Sequence, residues 1–259
     1  MHQLRLFFTA LQFFTRLPIP AWVGFDAAWL NQAARYFPLV GVVVAALAAL
    51  VYALAARVLP APVAVLLSTA AGIYATGAFH EDGFADMCDG FGGGMTPTRV
   101  LEIMKDSRIG AYGAIGTLSM LGLKCTALAY LPPAALLGAL FVAHPLSRLL
   151  ACALIWRMDY ARAEGKAKPL AQTMRAGEFA TAAATVLIVT GAVIAGGALS
   201  VAAIAAGALA ALATTLWLAR LFARRIGGYT GDCLGAVQQA SELASYLGIL
   251  ATLGHGALA

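Results

Sequence analysis

An all-α membrane helix bundle is the fold class this sequence predicts, and three observations predict it. Of 259 residues, 61% are hydrophobic and only 11% charged, with a mean hydropathy of +0.83. A water-soluble domain of this size carries about a quarter charged residues, so much of this surface faces lipid. Apolar stretches of about 20 residues, enough to span a bilayer, recur along the chain. The basic residues between them fall on alternate connections, as the positive-inside rule requires. The whole chain, residues 1–259, reads as a single integral membrane domain.

Residues 1–20 form an N-terminal interfacial segment. The apolar run Leu6 to Phe14 is short, Arg16 follows it, and no small-residue cleavage site appears, so it does not read as a signal peptide. Phe7, Phe8, Phe13 and Phe14 are expected toward lipid, with Arg5 and Arg16 toward headgroups. Spans follow at about 36–58, 62–79, 110–130, 134–156, 180–197, 200–220 and 237–257. Pro60 and Pro62, then Pro132 and Pro133, punctuate two tight turns, and Gly196-Gly197 marks a third. The count is about seven transmembrane helices, or six, because the 180–220 stretch has little internal contrast.

The basic residues set the direction. With the N-terminus inside, Arg5, Arg16, Arg35, Arg99, Lys105, Arg108, Arg157, Arg162, Lys166, Lys168, Arg175, Arg220, Arg224 and Arg225 all fall on the cytoplasmic side. Only Arg57 lies at an outer end, and Lys124 and Arg148 lie within spans. The topology is therefore N-in/C-out. The outer turns are short, and the long polar segments 80–109, 157–178 and 221–236 are all cytoplasmic. Short cytoplasmic helices and loops thus carry the site, as suits an enzyme served from the cytosol better than a transporter.

The acidic, glycine-rich segment 80–109 holds the densest chemistry. It opens His80-Glu81-Asp82-Gly83-Phe84-Ala85-Asp86-Met87-Cys88-Asp89-Gly90, followed by Phe91 and Gly92-Gly93-Gly94. Asp82, Asp86 and Asp89 stand at i, i+4 and i+7 and share one helix face. Three such carboxylates repel one another, and a divalent cation relieves the conflict; oxygen-only ligands favour Mg²⁺ or Mn²⁺ over zinc. The bland alternative is a solvated acidic helix end. Against it, four of the chain's twelve acidic residues crowd into Glu81 to Asp89, at a membrane boundary where such clusters are costly.

The glycines suit a flexible turn in which backbone approaches a ligand closely. Downstream, Lys105 and Arg108 can neutralise phosphate, and the start of the third span offers helix-terminal amides to an anion. Asp106 reads equally as a metal ligand or an N-cap, and Asp232, in Gly231-Asp232-Cys233-Leu234-Gly235, as a cap or a member of the metal site. His80 suits a general base or a hydrogen-bonding residue at a helix end. Lys124, His144, Arg148 and Glu242 are polar residues inside spans that pair with one another, Glu242 with Arg148 being a candidate pair. Together these features describe Mg²⁺-assisted work on a diphosphate.

Other classes fit poorly. The net charge of +5 comes without a basic stripe interleaved with aromatics, so nucleic acid is not an expected partner. Cys88, Cys125, Cys152 and Cys233 form neither a close-spaced ligand pair nor a disulfide framework. A cation transporter would need carboxylates near mid-membrane, whereas these aspartates sit at span ends.

At its motifs the sequence resembles the cobalamin synthase family, the adenosylcobinamide-GDP ribazoletransferases. The resemblance is carried by Phe13-Phe14-Thr15-Arg16-Leu17-Pro18-Ile19-Pro20, Tyr36-Phe37-Pro38-Leu39-Val40-Gly41, His80 to Gly94, Met104 to Gly113, and Gly231 to Gly235. It covers essentially the whole chain. Glu81 departs from the apolar residue often found there and stays outside the metal set. The resemblance implies the last assembly step of the cobamide nucleotide loop. Adenosylcobinamide-GDP and α-ribazole, or its 5′-phosphate, would give adenosylcobalamin or its phosphate, with release of GMP.

It also implies Mg²⁺ as cofactor and the bacterial cytoplasmic (inner) membrane as location. On that reading Asp82, Asp86 and Asp89 hold Mg²⁺ on the diphosphate, with Asp106 and Asp232 completing or supporting the site. Lys105, Arg108, Gly92 and Gly93 contact phosphate, and Asp82, His80 and Lys105 are the catalytic set. Besides the substrates and membrane lipid, partners include a homo-oligomer and other nucleotide-loop enzymes docking on the basic 157–178 loop. The nearest rival is a CDP-alcohol phosphotransferase, since Asp86-Met87-Cys88-Asp89-Gly90 opens its D-x-x-D-G pattern. The continuation fails, with Gly93-Gly94 in place of Ala-Arg.

Overall fold

The computed structural model describes residues 1–24, 26, 29–161 and 173–253. In chain order its helices are α1 (His2–Phe14), α2 (Trp29–Ala33), α3 (Phe37–Ala55), α4 (Ala61–Thr76), α5 (Phe79–Gly93), α6 (Pro97–Ile103), α7 (Ala111–Ala129), α8 (Pro133–Arg157), α9 (Ala176–Ala195), α10 (Val201–Ile226) and α11 (Gly231–Leu253). Two short 3-10 turns, Ala21–Val23 and Ala34–Tyr36, lie near the N-terminus. Among the described residues there is no strand, only an isolated bridge between Tyr160 and Tyr229.

Local sequence explains the helix starts. Pro38, Pro62, Pro97 and Pro133 occupy the first turns of α3, α4, α6 and α8, where a missing amide costs no helical bond. Thr96 and Ser200 cap α6 and α10 by accepting the amides of Arg99 and Ala203, at 3.3 and 3.1 Å.

A long helix stands at each of the seven apolar stretches. By length and composition, four are apolar enough to cross a membrane: Trp29–Ala55, Pro133–Arg157, Ala176–Ala195 and Val201–Ile226. The pair α4 and α5, bent by 90°, makes a fifth if taken as one span. The remaining long helices, α7 and α11, are more polar because Lys124, Gln238, Gln239 and Glu242 turn inward and are buried. Arg162, Lys166, Lys168, the middle half of the 157–178 loop and the end of the 237–257 stretch lie outside the described residues.

The bundle is built around α11, which packs along α10 and against α5 and α8; α3 lies between α4 and α8, and α7 beside α5. One end gathers the polar connections. There α1, the C-terminal part of α5, α6, the end of α8 and the turn from α10 into α11 share an apolar core containing Phe14, Phe37, Met87, Met104, Ile155, Phe222 and Tyr229. A second core at the other end holds Tyr52, Leu128, Leu136, Leu140, Tyr246 and Ile249. Along α8 the first core takes Leu150 to Ile155 and the second Ala135 to Ala143, with His144, Ser147 and Arg148 between them.

Two expectations are corrected here. Phe14 faces protein, not lipid: it is 8% exposed and packs edge-on against Phe37 and Phe79. Glu242 is not hydrogen-bonded to Arg148. Its oxygens pair with Lys124 Nζ at 2.8 Å and His144 Nδ1 at 3.1 Å, while Arg148 Nη1 donates to the His144 carbonyl at 2.9 Å. The general expectation of mutual pairing inside the bundle is met.

Candidate active site

The site begins at the bend between α4 and α5. Gly77 and Ala78 both take left-handed backbone, with φ of 64° and 59°. Arg16 secures the turn: its amide donates to the Ala75 carbonyl at 2.7 Å, and its guanidinium lies where a Gly77 side chain would stand. The bend sends α5 out of line with α4 and across the N-terminal turns of α11. The crossing is close because a β-carbon at Gly83 would stand 3.1 Å from Asp232 Cα, and one at Gly235 would stand 3.1 Å from the His80 carbonyl oxygen. Glycine at both positions therefore brings the acidic helix against the turn that carries Asp232.

Along α5 the three aspartates differ in surroundings. Asp82 is exposed, Asp86 half-buried and Asp89 buried. The two Asp89 oxygens accept the backbone amides of Gly110 at 2.7 Å and Gly113 at 2.8 Å. Asp89 thus caps α7 from another helix, and two of the terminal amides that an anion would use are occupied. Asp232 accepts the Thr230 hydroxyl at 3.3 Å, within the turn that opens α11.

The glycines do not form a phosphate-binding loop. Gly90, Gly92 and Gly93 lie inside α5, and only Gly94 ends it. Their missing side chains make room for neighbours: Met104 lies against Gly90, the Tyr112 ring against Gly92, and Ile103 against Gly93. Arg225 holds this end of the helix, donating to the carbonyl of Gly94 at 2.6 Å, with its guanidinium 5.5 Å from the centre of the Phe91 ring. A cation there also complements the helix dipole.

Beside the end of α5 is an open cleft of about 590 Å³ whose walls include Asp89, Gly93, Arg99, Asp106, Arg108 and Tyr112. Arg108 donates through Nε and Nη2 to the two oxygens of Asp106, at 3.0 and 2.6 Å. Those bonds hold the Asp106 carboxyl down at about 2, so it stays ionised at any physiological pH. Lys105 is exposed on the same α6–α7 connection. The structure therefore brings Gly93, Asp89, Asp106 and Arg108 to one cleft. Asp82 and Asp86 lie on either side of Gly83, where α5 crosses the turn that carries Asp232, with Asp82 two turns back along α5 from Asp89, a rise of roughly 10 Å.

His80 joins neither group. It is 4% exposed, stacks on the Phe14 ring at 5.4 Å and faces the bundle interior. Tyr112 and Arg225 are further neighbours of the site. Tyr112 lies in the Met104 to Gly113 motif, and the sequence signal for Arg225 is the basic pair Arg224-Arg225 at a helix C-terminus.

Among the described residues no three His, Cys, Asp or Glu side chains stand together closely enough to hold a metal ion unaided. Mg²⁺ does not demand such a cage, since it binds through one or two carboxylates and takes phosphate oxygens and waters for the rest. The exposed Asp82 offers the hard oxygen donors that this cation prefers, with Asp86 one turn along the same helix. Asp89 has both oxygens bonded to amides, Asp106 is paired with Arg108, and Asp232 accepts the Thr230 hydroxyl.

The chain matches the family described as Cobalamin-5-phosphate synthase over residues 6–250. It is similar to the adenosylcobinamide-GDP ribazoletransferase of Leptothrix cholodnii, at 48% identity over 97% of each chain. Proteins of the same name from Shewanella frigidimarina (46% identity, 97% of this chain and 96% of the relative) and Ralstonia pickettii (49%, 94% of each) are similar throughout. No solved structure matches the chain.

Proposed function

Because the chain belongs to the Cobalamin-5-phosphate synthase family, we propose that it is a transferase performing the final joining step of the cobamide nucleotide loop. Adenosylcobinamide-GDP and α-ribazole, or its 5′-phosphate, give adenosylcobalamin, or its 5′-phosphate, and GMP. The observation that carries this reading is full-length similarity to ribazoletransferases, together with an acidic helix face set beside an open cleft on whose wall Arg108 stands. A ribazole hydroxyl oxygen forms a bond to the phosphorus attached to cobinamide, the phosphoanhydride bond breaks, and GMP leaves with its electron pair.

Asp82 and Asp86, one turn apart on α5, would hold Mg²⁺ with Asp232 supporting the site, and the ion would supply charge neutralisation on the diphosphate. Arg108, on the wall of the cleft, and Lys105, exposed on the same α6–α7 connection, bind phosphate oxygens. Asp106 orients Arg108 through its two-point contact. The hydroxyl proton passes to an α5 carboxylate, because His80 is enclosed by Phe14 and the α11 crossing.

The location that fits is the bacterial cytoplasmic membrane, multi-pass and N-in/C-out, with the active site facing the cytoplasm. Its support is the gathering of Arg99, Lys105, Arg108, Arg157, Arg224 and Arg225 at the end of the bundle that carries α5 and α6.

Purified protein in liposomes, given both substrates with and without Mg²⁺, tests the reading beside Asp82→Asn. Mg²⁺-dependent GMP and cobamide formation, lost in the variant while its melting temperature is retained, is the expected outcome. A folded wild-type chain that makes no product sinks the reading and directs the search to CDP-alcohol substrates.

A further inference from the structure

Between the two apolar cores lies a layer of buried polar side chains for which the reaction above has no use. Glu242, 1% exposed, is its centre. Besides Lys124 and His144 it accepts Gln238 Nε2 at 2.6 Å and the Tyr246 hydroxyl at 3.4 Å. Lys124 Nζ also donates to Gln239 Oε1 at 2.7 Å, and Gln239 Nε2 donates to Glu81 Oε1 at 2.9 Å. An unbroken path of hydrogen bonds therefore runs from Glu242 through Lys124 and Gln239 to Glu81, ending one residue from Asp82. Its charges balance: Lys124 and Arg148 stand against Glu242 and Glu81. Glu81, Arg148 and Gln238 line the same small cavity, about 30 Å³, and the second oxygen of Glu81 is buried without a hydrogen bond.

A helix that carries a functional face must be fixed in rotation as well as in place. Adjacent residues on a helix point about 100° apart, so the direction of Glu81 fixes that of Asp82. The glycine crossing sets how near α5 lies to α11 but offers no directional bond. The Gln239 amide does, and it is anchored in turn by Lys124. Among the described residues Glu81 is the one acidic side chain of α5 that points inward into this layer.

We propose that Glu81 is a positioning residue, whose buried carboxylate ties the catalytic helix to the intramembrane charge layer through Gln239 and Lys124 and so fixes the direction of Asp82 and Asp86. This rests on the transferase reading above, and its test is built to separate the two.

Wild type, Glu81→Ala and the exchange Glu81→Gln with Gln239→Glu are placed in liposomes. The exchange rebuilds an amide–carboxylate pair and leaves the new carboxylate beside Lys124. Turnover is measured together with amide hydrogen exchange over α5 and α10. In Glu81→Ala, kcat falls about 10- to 100-fold, as for a catalytic group displaced by an ångström or so, with a smaller change in KM. Exchange over residues 79–93 accelerates while α10 keeps its protection, and the exchange variant recovers most of kcat. Wild-type turnover in Glu81→Ala, acceleration spread equally over α5 and α10, or no recovery in the exchange variant overturns the proposal. Should wild type itself form no product, the transferase reading fails, and hydrogen exchange alone decides Glu81: unchanged protection of α5 overturns the positioning role.

Discussion

Asp82 and Asp89 are seven residues apart on one face of one helix, yet the chemistry around them differs. Asp82 is exposed, whereas Asp89 has both oxygens committed to the amides of Gly110 and Gly113. The difference is open to measurement. An asparagine at 89 presents one carbonyl oxygen and one amide group, so it can accept only one of the two N–H donors and sets its own donor against the other. Asp89→Asn is therefore expected to lose about 1–2 kcal/mol of stability, as for a broken helix cap. Asp82→Asn removes no such bond and leaves stability near wild type while abolishing turnover. Thermal or denaturant melting of the two variants side by side checks this, and equal melting temperatures would return Asp89 to the ligand set. The same logic separates Arg108, whose exposed guanidinium faces the cleft, from Arg225, whose guanidinium is spent on the Gly94 carbonyl.

At the scale of elements, the site depends on how closely α5 crosses α11. A β-carbon at Gly83 would stand 3.1 Å from Asp232 Cα and 3.2 Å from its carbonyl oxygen, which is backbone and cannot step aside. Gly83→Val should cost about 1–3 kcal/mol, the range for an over-packed contact, and should lower turnover by forcing α5 away from the turn that carries Asp232. Gly231→Ala, where a methyl group meets open space, is the control and should keep both stability and activity. A stable, fully active Gly83→Val chain would show that the crossing does not set the site.

The same crossing marks where the sequence stopped being legible. The long helices could be read from apolar length, and the shared face of Asp82, Asp86 and Asp89 from their spacing, because both depend only on the geometry of one helix. What covers that face depends on contacts distant in sequence. Asp89 meets Gly110 and Gly113 across a chain reversal, Gly92 meets Tyr112, and Glu81 meets Gln239 from the last helix. The glycines misled for a physical reason: missing side chains serve close helix packing as well as they serve a loop. His80 misled likewise, since its position beside Asp82 in sequence places it about 200° around the helix.

Across the whole molecule, one end bears the cations and the acidic helix, the other bears short turns, and a charge-balanced polar layer separates the two cores. That arrangement fits a protein whose substrates come and go on one side while its centre stays closed to ions. Glu242 sits midway along the bundle, where an ion carrier would hold its carboxylate, but four side chains already occupy it. The orientation proposed from the cations can be tested directly. Met95, 90% exposed, lies on the connection between α5 and α6, and Val58, 82% exposed, lies on the turn between α3 and α4 at the opposite end. With the active site cytoplasmic, Met95→Cys reacts with a membrane-impermeant thiol reagent in inverted membrane vesicles and is protected in right-side-out ones, measured against the parent chain. Val58→Cys behaves in the opposite sense. The reverse pattern would turn the acidic helix away from the cytosol, and labelling of both from one side would remove the membrane crossing assigned to the α4 region. A nucleotide-bearing substrate made in the cytosol can reach Asp82 only in the first case, so the labelling pattern bears on the chemistry as well as on the topology.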